Sequence, residues 1–137
     1  ILPQNPWLKF TFIGNYNKLL TPKNLNLKKP MTGLKLANEL KKHDIYLTAS
    51  LHEPCGIHQL EGMASGLPVI YRNKSGGIKE TCQEAGIEFK NIDDLIPTIK
   101  EVINKYSELK KKINYDFIGY ERCGKEYLDL ILKLNKN

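Results

Sequence analysis

The sequence predicts an α/β domain, a parallel sheet flanked by helices, and three observations carry that prediction. Short apolar runs rich in strand formers recur along the chain, at residues 8–13 (LKFTFI), 45–49 (IYLTA), 67–71 (LPVIY) and 87–89. Stretches with apolar residues at helical spacing separate them. The LPVIY run is nearly continuous, as strands buried on both faces of a parallel sheet are. Strands alternating with helices need crossover connections, which join parallel neighbours. No internal repeat, low-complexity tract or linker interrupts the 137 residues, so one domain over residues 1–137 is expected.

The elements follow in order. LKFTFI is closed by Gly14, and residues 15–24 are polar and turn-like. Leu25 and Leu27 alternate with polar neighbours, giving a weaker strand that Pro30 stops. Thr32 is placed to cap a helix running to Lys42, with Leu34, Ala37 and Leu40 on one face. After IYLTA, residues 56–65 carry Ile57, Leu60, Met63 and Ala64 at helical spacing, and Gly66 ends that helix. Following LPVIY, a short helix over residues 77–84 leads to Gly86 and a last short strand. Asp93 and Asp94 then start a long helix that tolerates Pro97 in its first turn. Its stripe is Leu95, Ile99, Val102, Ile103, Tyr106 and Leu109. A final helix over residues 116–134 is expected to bury Phe117, Tyr120, Leu128 and Ile131.

Composition excludes several classes of function. An apolar fraction of 41% and a charged fraction of 26% are those of an ordinary globular domain. No run approaches the length of a membrane-spanning helix, and Pro3 and Pro6 interrupt any signal-peptide pattern at the start. The net charge of +6 has its densest run at Lys110, Lys111 and Lys112, after Lys105. A solvated helix end explains such a run, and peripheral contact with an anionic membrane is the alternative. Nucleic acid is not expected, because no nucleic-acid-binding signature accompanies the charge. Cys55, Cys82 and Cys123 are odd in number and widely spaced, as reduced cysteines of a cytoplasmic protein would be.

The chemistry concentrates in residues 50–77, SLHEPCGIHQLEGMASGLPVIYRNKSGG. Ligands of parallel sheets gather beyond the carboxyl ends of the strands, where Ser50 to Cys55 form a loop. Gly56 lets the chain turn closely into a helix, so the N–H groups of Ile57 and His58 make a site for an anion such as phosphate. Glu53 and Glu61 flank it, with seven residues between them. Beside a phosphate a carboxylate serves poorly as a phosphate ligand but well as an acceptor for hydroxyls. One Glu could thus hold a sugar and the other a ribose.

EPCGIHQLEGMASGLPVIY followed by SGG resembles the signature of family 4 retaining glycosyltransferases of the GT-B fold. The matching residues are Glu53, Pro54, Gly56, Glu61, Ala64, Gly66, Pro68, Val69, Ile70, Gly76 and Gly77, and the resemblance extends in outline over nearly the whole chain. It implies a Rossmann-like domain, the C-terminal, donor-binding half of a GT-B fold. It also implies a nucleotide-diphospho-sugar donor, an acceptor that the sequence does not identify, and no essential metal or other cofactor. Glu53 would contact the donor sugar near its reacting carbon, as a positioning residue. Glu61 would accept from the ribose hydroxyls, Gly56, Ile57 and His58 would bind the diphosphate, and Pro54, Gly76 and Gly77 would complete the donor site.

Members of that family also carry an upstream strand–loop–helix unit with an Arg and a Lys that neutralise the diphosphate, and an N-terminal acceptor domain before it. Neither has a counterpart in this sequence. The chain is therefore expected to lack its first βα unit, to be part of a longer protein, and to have little transferase activity alone. The alternative is a non-catalytic nucleotide-sugar-binding or interaction module of the same fold. A sugar epimerase or phosphorylase on the same architecture is the third reading.

Competing readings of single residues are weaker. His52, Cys55 and His58 have a tempting spacing, but the turn into the helix would splay them apart, and a metal needs convergent ligands. Cys55 lacks an argued activating partner beyond its neighbouring histidines. A glycosidase pair at Glu53 and Glu61 fits poorly with an anion site between them. Cys82 and Cys123 are expected to pack as small apolar groups.

Overall fold

Five parallel strands form two sheets in the computed structural model, which describes residues 1–17, 25–54 and 56–135. Contacts divide the chain into two units, Ile1–Lys42 and His43–Asn137. The turn-like stretch expected after Gly14 falls, from residue 18 onward, outside the described residues, as does Cys55.

In the first unit, β1 (Phe10–Ile13) pairs in parallel with β2 (Leu25–Lys28), from Phe10 opposite Leu25 to Ile13 opposite Lys28. Helix α1 (Gly33–Leu40) follows. Thr32 stands at its N-cap position in extended conformation, but its side chain caps nothing. The expected apolar face needs correction. Leu34 is 83% exposed, whereas Leu36 and Ala37 are half-buried and Leu40 is buried. Leu34 and Leu36 are two positions apart, which puts them on different sides of a helix, and Leu36 is the one on the side of Leu40.

Glu39 is buried on this unit and held by two lysines, with Lys28 Nζ at 2.6 Å and Lys42 Nζ at 3.0 Å. Lys28 is the last residue of β2, so the pair ties helix to strand.

In the second unit, β3 (Tyr46–Thr48), β4 (Val69–Arg72) and β5 (Gly86–Phe89) form a parallel sheet with β4 in the middle. Leu47 lies opposite Ile70, and Ile70 opposite Ile87. The position of β4 explains its composition: Leu67, Val69, Ile70 and Tyr71 are all buried, as a central strand covered on both faces requires. Helices α2 (His58–Ala64) and α3 (Gly77–Cys82) and a 3₁₀ turn (Gln83–Ala85) complete the crossovers. Met63, Val69, Tyr71, Ile78, Cys82, Ala85 and Ile113 form one core cluster. Gly66 closes α2 as expected. Its φ is +85°, its N–H bonds Met63 O at 2.8 Å, and Leu67 N–H reaches back to Gly62 O at 3.1 Å.

The C-terminal helices differ from expectation in two places. The long helix is two, α4 (Leu95–Asn104) and α5 (Tyr106–Lys111), separated at Lys105. Leu95, Ile99, Val102 and Leu109 are buried as expected, but Ile103 is exposed. Ahead of α4, the Asn91 side chain accepts from the N–H groups of Asp93 and Asp94, and Asp94 accepts from the N–H of Asn91, a reciprocal cap. The final helix is also two, α6 (Tyr115–Ile118) and α7 (Tyr120–Leu134), broken at Gly119. Phe117 is half-buried. No described residue of α7 is buried: Tyr120 is 84% exposed, and Leu128, Ile131 and Cys123 are exposed as well. The amphipathic pattern there was readable, but the burial inferred from it is absent because no described element packs on that stripe.

Within the basic run, Lys105 pairs with Glu101 at 2.7 Å and Lys112 with Glu108 at 2.8 Å, both one helical turn apart. Lys110 and Lys111 end α5, where cations suit the helix dipole.

The two lysines hold the Glu39 carboxyl down at about 2, the hydrogen bond from Lys28 being the larger influence and that from Lys42 the next. A carboxyl depressed in the folded state adds stability that is complete above its unfolded value and is lost as pH falls through the folded one. NMR titration of Glu39 is expected to give a midpoint near 2. Glu39→Gln should remove the stability lost between pH 4.5 and about 2. A midpoint at the ordinary glutamate value would refute the assignment.

Candidate functional site

Two loops at the carboxyl ends of β3 and β4 meet backbone to backbone. Glu53 and Gly76 form an isolated parallel bridge that extends the β3–β4 ladder beyond the strands. His52 N–H donates to Lys74 O at 3.0 Å, Glu53 N–H to Ser75 O at 3.2 Å, and Gly77 N–H to Glu53 O at 2.9 Å. His52 and Lys74 both adopt left-handed conformations, with φ of +56° and +62°. Non-glycine residues hold such angles only where their surroundings fix them, at a cost of about 1–3 kcal/mol each.

This junction explains the paired glycines. Gly76 has a φ of +71°, and a Cβ there would lie 2.6 Å from the Glu53 carbonyl oxygen. A Cβ on Gly77 would lie 2.6 Å from the Pro54 carbonyl oxygen. Gly76 and Gly77 therefore shape the site by letting the second loop lie flat on the Glu53–Pro54 backbone.

From the junction the chain turns at Gly56, which is buried, into α2. The helix begins at His58, with Ile57 at the N-cap position and no side-chain cap. The N–H groups of Ile57 and His58 have no acceptor among the described residues. The expected helix face needs correction here also. Ile57 is 67% exposed, and Gln59, Gly62 and Met63 form the buried face. Tyr46 of β3 packs where Gly62 lacks a side chain, its ring 2.6 Å from the place a Cβ would take.

Three side chains close in on Gly56. A Cβ on Gly56 would meet Gln59 Oε1 at 2.7 Å, Glu53 Cγ at 2.8 Å and His58 Nε2 at 3.3 Å. Gln59 Oε1 and His58 Nε2 are buried and have no hydrogen-bond partner, and Ser75 Oγ shares that condition. These three atoms are all the buried, unpartnered side-chain polar atoms among the described residues. Such atoms are costly in a finished interior unless water or another polar group reaches them.

His58 is oriented by β3. Tyr46 Oη lies 3.2 Å from His58 Nδ1, and the two rings stack with centroids 6.0 Å apart. Burial pushes the Tyr46 phenol up to about 12, with the charge of Glu61 adding to it. The phenol therefore stays protonated and is able both to donate to and to accept from the His58 ring.

The carboxylates of Glu53 and Glu61 have no partner among the described residues. Glu53 is half-buried, and Glu61 is exposed in the first turn of α2. The structure thus brings together Glu53, Pro54, Gly56, His58, Gly76 and Gly77. Glu61 stays apart on the helix, and the Ile57 side chain points to solvent. Periodicity did not reveal Gln59, Ser75, Thr81 or Tyr46. Gln59, Gly62 and Met63 do share one helix face by spacing, but a glutamine next to two apolar residues reads as solvent-facing. No group of three or more His, Cys, Asp or Glu side chains able to hold a metal occurs among the described residues. No described helix is long and apolar enough to cross a membrane.

Comparison with known proteins gives a consistent result. The family described as glycosyl transferases group 1 matches residues 3–117. A glycogen synthase of Alkaliphilus metalliredigens is 35% identical over 66% of this chain and 22% of its own length. A probable sucrose-phosphate synthase of Thermosipho melanesiensis is 36% identical over 74% of this chain and 25% of its own length. A glycogen synthase of Caldicellulosiruptor saccharolyticus is 40% identical over 47% of this chain and 16% of its own length. The chain thus spans a quarter or less of these relatives.

The close approach at Gly76 yields a direct test. Gly76→Ala is expected to destabilise the protein by about 2 kcal/mol or more, through the left-handed φ and the clash with Glu53. Gly124→Ala, in α7 with nothing within 4 Å of the added carbon, should be neutral or stabilising by up to about 1 kcal/mol. Denaturant unfolding of both variants decides it, and equal stabilities would refute the close approach.

Proposed function

The chain belongs to the family of glycosyl transferases group 1, and on that premise we propose that it forms the donor site of a retaining glycosyltransferase. The enzyme would move a sugar from a nucleotide-diphospho-sugar to an acceptor. The observation that carries this reading is the junction of the two loops, where the Glu53 backbone is fixed by its bridge to Gly76 while its carboxylate has no partner among the described residues.

Each residue has a part that follows from its chemistry. The unpaired N–H groups at Ile57 and His58 suit the donor diphosphate, and His58 Nε2, which has no partner, faces Gly56. Glu53, fixed by its backbone bridge to Gly76, accepts hydrogen bonds from sugar hydroxyls and holds the reacting carbon in place. Glu61, exposed one turn into α2, accepts from the ribose hydroxyls. Pro54, Gly76 and Gly77 form the wall that keeps Glu53 in position. Catalysis then rests on positioning and on stabilising the departing diphosphate, with no essential metal. The cations that neutralise the diphosphate and the acceptor-binding surface are assigned to parts of the protein beyond this chain, which by itself would transfer little sugar. The names of the relatives make glycogen the first acceptor to try.

A binding panel of UDP-, GDP- and ADP-sugars on the complete natural protein tests the reading. One nucleotide class should bind saturably. Glu61→Ala should weaken that binding by about ten- to hundredfold, the cost of losing hydrogen bonds to a charged acceptor. Glu53→Gln should lower transfer more than donor affinity. Absence of binding by the folded protein would overturn the donor site, and binding without transfer to any acceptor would leave a non-catalytic module.

A further inference from the structure

Gln59 is fully buried, and both hydrogens of its amide group are used. One is donated to the carbonyl oxygen of Gly56 and the other to Thr81 Oγ1, at 2.8 Å for the latter. The Thr81 hydroxyl donates in turn toward the carbonyls of Gly77 and Ile78, each at 3.1 Å. Gly77 N–H is bonded to Glu53 O at 2.9 Å. A circuit results: the Glu53 carbonyl, the Gly77 peptide, the Thr81 hydroxyl, the Gln59 amide and the Gly56 carbonyl. It joins the turn before α2 to the first turn of α3, so it spans both loops of the site. The Gln59 Oε1 left over by this arrangement is the unpartnered atom nearest to Gly56.

We infer that Gln59, acting through Thr81, is a positioning residue that locks the Gly56 turn and the Gly76–Gly77 loop into one rigid unit around Glu53. The inference rests on the donor-site reading for its consequence in catalysis, and on the hydrogen bonds alone for its structural content. A glutamine suits the task because the planar amide presents two donors in fixed directions. A buried side chain with both donors satisfied gives a better-defined geometry than packing alone. Glutamate in its place would face the Gly56 carbonyl with a second acceptor, and methionine would fill the volume without any donor.

The test uses the complete natural protein and four substitutions: Gln59→Met, Gln59→Glu, Thr81→Val and Thr81→Ser. Two readouts are taken, sugar transfer at saturating donor and NMR exchange of the Gly77 amide. Gln59→Met, Gln59→Glu and Thr81→Val are each expected to lower kcat by about tenfold or more, as small misplacements of a reacting group do. For Thr81→Val the donor KM should change by less than about threefold, because the diphosphate amides, the Gln59 Oε1 and Glu61 are untouched. Thr81→Ser, which keeps the hydroxyl, should restore both readouts, and Gln59→Met with Thr81→Val should be no worse than the worse single change. Gly77 amide exchange should accelerate by about tenfold or more in the three damaging variants, beyond what their loss of global stability, measured by denaturant unfolding, accounts for. Unchanged kcat and unchanged Gly77 exchange in any folded variant lacking the amide donor or the hydroxyl would overturn the inference. If the wild-type protein binds and transfers no nucleotide sugar, the donor-site reading fails, and Gly77 exchange still decides for or against the lock.

Discussion

The backbone bridge between Glu53 and Gly76 is the constraint on which the rest of the second unit's site depends. Parallel strands present their carboxyl ends side by side, but the loops that leave them normally diverge. Here the ladder runs on past the strands, and the loop carbonyls of Glu53 and Pro54 lie against Gly76 and Gly77 at distances that no side chain allows. The glycines, the left-handed His52 and Lys74, and the turn at Gly56 all follow from that contact. The backbone strain at this point, two non-glycine residues held at positive φ, is accepted because the ladder bonds fix them.

Much of this was legible in the sequence because it is written in residue types with few alternatives. LPVIY reads as a strand covered on both faces, and β4 is central and buried. Gly66 reads as a helix stop and closes α2 with a positive φ. Gly76 and Gly77 read as a shaped loop, although what they make room for is the Glu53–Pro54 backbone. The turn into α2 at Gly56 also stands where spacing put it.

What the sequence hid was the identity of buried faces. Apolar spacing put Ile57 and Ala64 inward on α2, and Leu34 inward on α1. In each case the true face includes a polar residue, Gln59 or Glu39, whose burial depends on partners far along the chain: Thr81 for the glutamine, Lys28 for the glutamate. Hydrophobic periodicity cannot count a polar side chain as interior, because the hydrogen bond that makes its burial tolerable belongs to tertiary structure. The same limit works in reverse on α7, where an apolar stripe with a sound helical period is exposed throughout. Amphipathicity states what a helix can bury, and only a packed neighbour makes it do so.

The carboxylates themselves separate architecture from chemistry. Glu39 is buried, bonded to two lysines, and its proton affinity is lowered accordingly. That is how a folded chain treats an acidic group whose work is to hold elements together: a buried charge is tolerated only with its partners in place. Glu53 and Glu61 have received no such partners among the described residues, although the net charge is +6 and lysines are abundant. Their backbone positions are nonetheless heavily constrained, Glu53 by a bridge and two carbonyl contacts, Glu61 by its place in the first turn of α2. A rigid backbone that presents an uncommitted acceptor leaves its hydrogen-bonding capacity for something outside the chain. The same holds for the unpartnered atoms of His58, Gln59 and Ser75. Fixed main chain with unfilled polar valence is the arrangement that preorganisation demands, since the cost of ordering the groups is met in folding and not at the moment of binding.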